Sequence, residues 1–198
     1  MRIDNVHIHG INESIVASGY PMRNDLPDVL PSKPTSHRLE VATNLGSTPI
    51  GSAHDNYLNG IIIQFDLTCT IKMWQQLQRY HFIDFVSSAS TIHRLIKMDL
   101  NKAYNEYIDE YILERVKLLQ KKYKESGNED DFLRLIYNNP VGMNLTARLT
   151  TNARQLKTIY HQRKNHRLKE WRDFCGWILS LPDEIHPWSK SLNKEDNQ

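Results

Sequence analysis

Leu149-Thr150-Thr151-Asn152-Ala153-Arg154-Gln155-Leu156-Lys157-Thr158-Ile159-Tyr160-His161-Gln162-Arg163 reads as a strand end, a helix N-cap and a three-turn helix that closes on an arginine. Asn152 suits the cap because its side-chain carbonyl can accept a free N–H of the first turn. Arg163 follows Asn152 by eleven residues. At about 100° per residue that is nearly three whole turns, so both fall on one face with Leu156 and Ile159 between them. Such a helix can help build an anion or nucleotide pocket. The same residues equally serve as an ordinary cap and a cation that complements the helix dipole.

Outward from this helix, residues 144–151 read as its incoming strand. Arg163-Lys164-Asn165-His166-Arg167 makes a basic turn, and residues 168–181 form a second helix with Leu168, Trp171, Phe174, Cys175, Ile178 and Leu179 inward. Pro182 ends it, and a frayed tail is expected over 187–198. Upstream, Arg2 to Gly10 alternates as a first strand, and Gly60 to Thr68 is β-branched and bounded by turn residues. Lys72 to Phe85 and Ile92 to Met98 are expected as helices. The strongest helical periodicity covers Asn101 to Glu125, with a stripe of Tyr104, Tyr107, Ile108, Tyr111, Ile112, Arg115, Val116, Leu119 and Tyr123 that reads as core or subunit contact. A short helix is expected next, over Asp130 to Tyr137. Residues 20–49 carry Pro21, Pro27, Pro31, Pro34 and Pro49 and read as loop. Strands and helices do not alternate regularly, so the class is α+β.

The 198 residues fit a single domain, with an irregular segment over 1–49 wrapped on the body. A formal net charge of +2 carries no global nucleic-acid signature. Cys69 and Cys175 sit among apolar residues, as reduced, buried thiols would. No apolar run approaches the roughly 18 residues of a membrane span, and no signal-peptide core opens the chain. The expectation from these features is a soluble cytoplasmic protein.

Four clusters carry polar chemistry. Gly51-Ser52-Ala53-His54-Asp55-Asn56 is a turn that can approach a phosphate, or simply cap the next element. In Gln75-Gln76-Leu77-Gln78-Arg79-Tyr80-His81, Gln76 and Arg79 are helical neighbours. Their amide and guanidinium suit a pyrimidine edge and a phosphate, and also an ordinary solvated face. Ser87-Ser88-Ala89-Ser90-Thr91 offers hydroxyls to a phosphate or a reacting base, or an N-cap to the helix carrying His93 and Arg94. The fourth is the opening helix with its basic turn. No nucleotide-binding glycine loop, hydrolase elbow or paired-cysteine motif is present. His7 and His9 share a strand face without a third ligand, so no metal site is expected.

In order and spacing these clusters resemble the flavin-dependent thymidylate synthase family, including its phage-encoded relatives. The family's Gly-His turn and Phe-Thr-Phe-type strand are met by Ala53-His54 and Ile63-Gln64-Phe65. Its Arg-Gln-x-x-Arg-His-Arg helix and Ser-x-Asn-Glu-x-Ser-x-Arg segment are met by residues 75–81 and Ser87-Ser88-Ala89-Ser90. Its late Asn-Ala-Arg-x-Leu, with an Arg nine residues beyond the first, is met by Asn152-Ala153-Arg154-Gln155-Leu156 and Arg163. Glu170-Trp171 resembles its Gln-Trp-Glu helix with a one-residue slip.

The resemblance covers roughly residues 50–180 and implies a mixed or antiparallel sheet packed with long helices. It implies that Gln76, Arg79 and Arg163 hold dUMP, with Ser88 or Ser90 at the pyrimidine or phosphate, and that Arg163 and Ser90 are the catalytic pair. His54, His81, Asn152 and Arg154 would face FAD. Methylenetetrahydrofolate and NADPH are the implied co-substrates, and a homotetramer the implied assembly.

Several family positions differ. Tyr80-His81 stands for His-Arg, the Asn-Glu before the serine is absent, Thr91 or Ile92 replaces a final Arg, and Thr158 replaces a His or Asn. The expected activity is reductive C5 methylation of dUMP or a related uracil nucleotide. A protein that binds the nucleotide but has lost the flavin and folate chemistry is the alternative. A third reading, a nucleic-acid module using the basic segment 157–172, predicts steep salt dependence.

Overall fold

The computed structural model describes residues 1–24 and 31–189. Four strands, β1 (Arg2–His9), β2 (Ile62–Thr70), β3 (Ile83–Ser88) and β4 (Asn144–Asn152), form an antiparallel sheet in the order β1-β2-β4-β3. Among the described residues there are eight helices. These are α1 (Ile11–Ala17), α2 (Ser36–Gly46), α3 (Ile71–Leu77), α4 (Thr91–Arg94), α5 (Glu110–Ser126), α6 (Glu129–Tyr137), α7 (Ala153–Arg163) and α8 (Lys169–Ser180). In β2 alternate residues are buried, Ile63, Phe65, Leu67 and Cys69, as a half-buried strand of period two requires. The expected α+β class and antiparallel sheet are observed. The chain divides into two compact units, one of Met1–Asp4, Asp66–Tyr80 and Phe85–Leu149, the other of Asn5–Phe65, His81–Asp84 and Thr150–Gln198.

In the first unit, α5 and α6 pack together, and a core of Leu95, Leu100, Tyr104, Val116, Leu119, Leu135 and Met143 holds the unit. The helix expected from Asn101 starts only at Glu110. Asp109 is the cause, since its carboxylate accepts the N–H groups of Tyr111 at 2.9 Å and Ile112 at 3.3 Å and so fixes the N-terminus there. Upstream of the cap, Tyr104 bridges to Met143 as extended chain. Tyr107 and Tyr111, in the stripe expected as core or subunit contact, are 75% and 86% exposed and take no part in the core of this chain.

The helix expected over 72–85 is also corrected. α3 stops at Leu77, Phe82 takes a left-handed backbone (φ 60°), and Ile83-Asp84-Phe85-Val86 begins β3. The β-branched and aromatic alternation there outweighs the helical spacing upstream. Trp74 of α3 lies over Phe85 at 4.7 Å between ring centres. Likewise the helix expected over 92–98 is a single turn, α4.

In the second unit, α7 packs on α8 and on the 3-10 turn Asn56–Gly60, which also contacts α1 and α2. Phe65, Phe174 and Trp177 form an aromatic cluster with centroids 4.7–6.0 Å apart. A helix, α2, stands inside the segment expected as loop. Its residues 36–46 contain no proline, Thr35 caps it by accepting the Arg38 N–H, and the prolines that suggested a loop merely bracket it. Pro27 lies outside the described residues. The frayed tail expected over 187–198 is corrected at its first residues. Pro187 and Trp188 are buried, and Ser47 Oγ donates to the Pro187 carbonyl at 2.9 Å. The rest of that segment, from residue 190, lies outside the described residues.

Cys69 and Cys175 are buried free thiols as expected, and burial pushes the Cys175 thiol up to about 11. His7 and His9 are both exposed on β1. Among the described residues no helix is long and apolar enough to cross a membrane.

Candidate functional site

β4 runs directly into α7, and the start of α7 in the second unit builds the site. Asn152 is extended (φ −127°, ψ 164°), and its side-chain oxygen accepts the Gln155 N–H at 2.8 Å. The Ala153 N–H donates to the Ile61 carbonyl, so the first turn is tied to the residue that precedes β2. A cavity of about 260 Å³ opens beside this turn, lined among others by Asp55, Phe82, Asn152, Arg154, Gln155 and Thr158.

Its electrostatics are set one turn into α7. Lys157 is 1% exposed, yet all three of its ammonium protons are used. Nζ donates to the carbonyls of Gly46 at 2.9 Å and Thr48 at 2.6 Å, and to Asp55 Oδ2 at 2.7 Å. The other oxygen of Asp55 accepts from Arg154 Nε at 3.0 Å. One buried carboxylate therefore faces two cations. Lys157 neutralises Asp55, and the Arg154 guanidinium, a third exposed, gives the cavity wall its net positive charge. Holding Arg154 by Nε fixes the plane of its fork, which suits a phosphate or carbonyl edge. Next to this triad, burial and then the Asp55 charge push the Tyr57 phenol well above its usual range, and it donates to the Ala42 carbonyl at 2.7 Å.

Not all of the expected site residues meet at this cavity. In the second unit, Asn152 and Arg154 line it together, whereas His54, His81 and Arg163 are not in its lining. His54 is exposed on a turn shaped by left-handed Gly51 and Ala53, and its N–H donates to Ser52 Oγ at 3.4 Å. His81 is exposed beside Phe82. Arg163 ends α7 with its guanidinium 4.9 Å from the centre of the buried Trp171 ring, a cation–π contact. His166 nearby is held below the usual histidine range, first by desolvation and then by the Arg163 charge.

In the first unit, Gln76 lies in the last turn of α3, but Arg79 falls two residues past its end, so the two are not neighbours on one helix as expected. The Arg79 N–H donates to the Gln76 carbonyl at 3.3 Å in a closing turn. Ser88 ends β3 and is exposed, and Ser90 Oγ caps α4 by accepting the His93 N–H at 3.4 Å.

Three residues central to this geometry escape sequence reasoning. By residue type and place in the 51–56 turn, Asp55 reads only as a possible cap. Lys157 read as part of a basic surface segment, and its burial removes it from any such surface. Phe82 carried no sequence signal, because nothing in the residue type announces a positive φ.

No family model matches this sequence, and no curated protein matches it. Solved structures do. A crystal structure of the flavin-dependent thymidylate synthase ThyX from Helicobacter pylori, complexed with FAD and dUMP, is similar with a TM-score of 0.72 at 17% identity. The likeness covers 93% of this chain and 95% of that one. A second structure of the Helicobacter pylori enzyme with FAD and dUMP gives a TM-score of 0.72 at 17% identity, over 95% and 96% of the two chains. The chain therefore has the flavin-dependent thymidylate synthase fold.

Proposed function

We propose that this protein is a flavin-dependent thymidylate synthase-like enzyme that reductively methylates C5 of dUMP or a related uracil nucleotide. The observation that carries this reading is the coincidence, in a chain of this fold, of the Asn152–Arg154 motif with a positively charged cavity at the start of α7. The fold neighbours were solved with FAD and dUMP, which supports the same two ligand classes here.

FAD fits the residues present in part. Arg154, Asn152 and Gln155 bring a guanidinium and two amides to the cavity wall, the donors that a phosphate or the polar edge of a flavin ring needs. A volume of about 260 Å³ holds one end of a dinucleotide, which agrees with a site shared between copies in a homotetramer. When bound, the flavin supplies the hydride, and methylenetetrahydrofolate the carbon, with NADPH as reductant. The chain's own task is binding and orientation. Arg154, fixed by Asp55, fastens an anionic or carbonyl oxygen beside Asn152, while His54 and His81, exposed outside the cavity lining, are further flavin-binding candidates. In the first unit, Gln76 at the end of α3, Arg79 just past it, Ser88 and Ser90 are the candidates for binding the uracil nucleotide, and in the second unit Arg163 is a further one.

A nucleotide-binding protein without redox chemistry is the second reading. It is favoured by the structural tasks of the two expected catalytic groups: Ser90 Oγ caps α4, and Arg163 lies on Trp171. Calorimetry with FAD and with dUMP separates the two. The enzyme reading expects both to bind, with a yellow protein after FAD loading. Binding of dUMP alone selects the second reading, and binding of neither overturns both.

A further inference from the structure

Phe82 has a left-handed backbone, φ 60°, which a bulky side chain rarely adopts and which carries a steric cost. Packing does not offset that cost, since Phe82 is 69% exposed. The conformation is nevertheless pinned, because the buried Thr151 donates its hydroxyl to the Phe82 carbonyl at 2.7 Å. Thr151 directly precedes the Asn152 cap, so the same junction that builds the cavity holds Phe82 at its wall, with Asn152, Arg154 and Gln155 also lining it. Glycine or asparagine would meet the backbone requirement more easily. What the chain gains from phenylalanine is an aromatic face in a cavity otherwise lined mainly by polar side chains, with Ile50 the other apolar one.

We propose that Phe82 is a ligand-binding residue, a stacking platform for a planar heteroaromatic ring whose polar edge or attached phosphate meets Arg154 and the two amides. This role rests on the proposed function and adds a residue to its binding site. Two ligands of that reading carry such a ring, the isoalloxazine of FAD and the uracil of dUMP, and the test distinguishes them.

The experiment measures FAD and dUMP binding separately by calorimetry for the full-length protein and for Phe82→Leu and Phe82→Tyr, with mass by light scattering and thermal melting alongside. Leu keeps the apolar bulk and removes the π-face, whereas Tyr keeps the face. The expected result is a loss of about 5- to 150-fold in affinity for Phe82→Leu, the range of one aromatic–base stack. Phe82→Tyr should stay within about threefold of the parent at unchanged mass and melting temperature. The ligand whose affinity falls is the one that stacks. Unchanged affinity of Phe82→Leu for both ligands overturns the stacking role while the functional reading stands. A loss of affinity accompanied by reduced mass or by unfolding also overturns it, since the ring is then a subunit or core contact. If the parent protein binds neither ligand, the stacking role and the functional reading fail together.

Discussion

Lys157 shows how a single side chain organises this protein. Its ammonium satisfies two carbonyls at and just after the end of α2 and one oxygen of Asp55, so it ties residues 46–55 to α7. Truncation to alanine would leave a buried carboxylate facing only Arg154, and two carbonyls without their donor. Removal of one partner from a buried pair costs about 3–5 kcal/mol. Lys157→Ala should therefore lower the unfolding free energy by an amount in that range, read from urea denaturation midpoints at constant slope. A loss below about 1 kcal/mol would place the ammonium in solvent instead. In the sequence Lys157 was one cation among many. Its neighbours Leu156 and Ile159 mark the inward face, but nothing local shows that an acceptor cage from residues over a hundred positions away would meet it.

Elements were legible where their ends carry their own chemistry. Asn152, Pro182 and the β-branched run at Ile61–Ile63 placed α7, the end of α8 and β2 within about two residues, the ordinary uncertainty of such boundaries. Legibility failed where a single residue overrides a period. Asp109 cuts the long helical pattern at Glu110, and Phe82 turns an expected helix into β3.

Between α5 and α6 one carboxylate links the pair. Asp131 accepts from Lys122 Nζ at 2.9 Å and Ser126 Oγ at 2.8 Å, and these hydrogen bonds, with Lys122 first, hold its pKa below the usual aspartate range. A lowered folded pKa means that this contribution is fully present above the unfolded value of about 3.9 and is lost as pH falls through the folded one. The parent should accordingly melt higher than Asp131→Asn at pH 5 to 7, with the gap closing below about pH 4. A gap independent of pH would remove the ionised carboxylate from the account.

At the scale of the whole molecule, the strand order β1-β2-β4-β3 is not contained in any local pattern, since it depends on pairings between segments far apart in the chain. Four motif fragments in order, each ambiguous alone, point to the fold. The same fragments explain why the site was only partly legible. Asn152 and Arg154 meet at one cavity, while the groups that orient and face them, Asp55 and Phe82, belong to no motif.

Turnover is the property on which the proposed function depends. The most direct measurement is release of tritium from C5 of labelled dUMP, with FAD, methylenetetrahydrofolate and NADPH supplied to the full chain. The account predicts release that requires dUMP, flavin and reductant together and yields thymidylate. No release above the protein-free control, from protein that binds both FAD and dUMP, would contradict it.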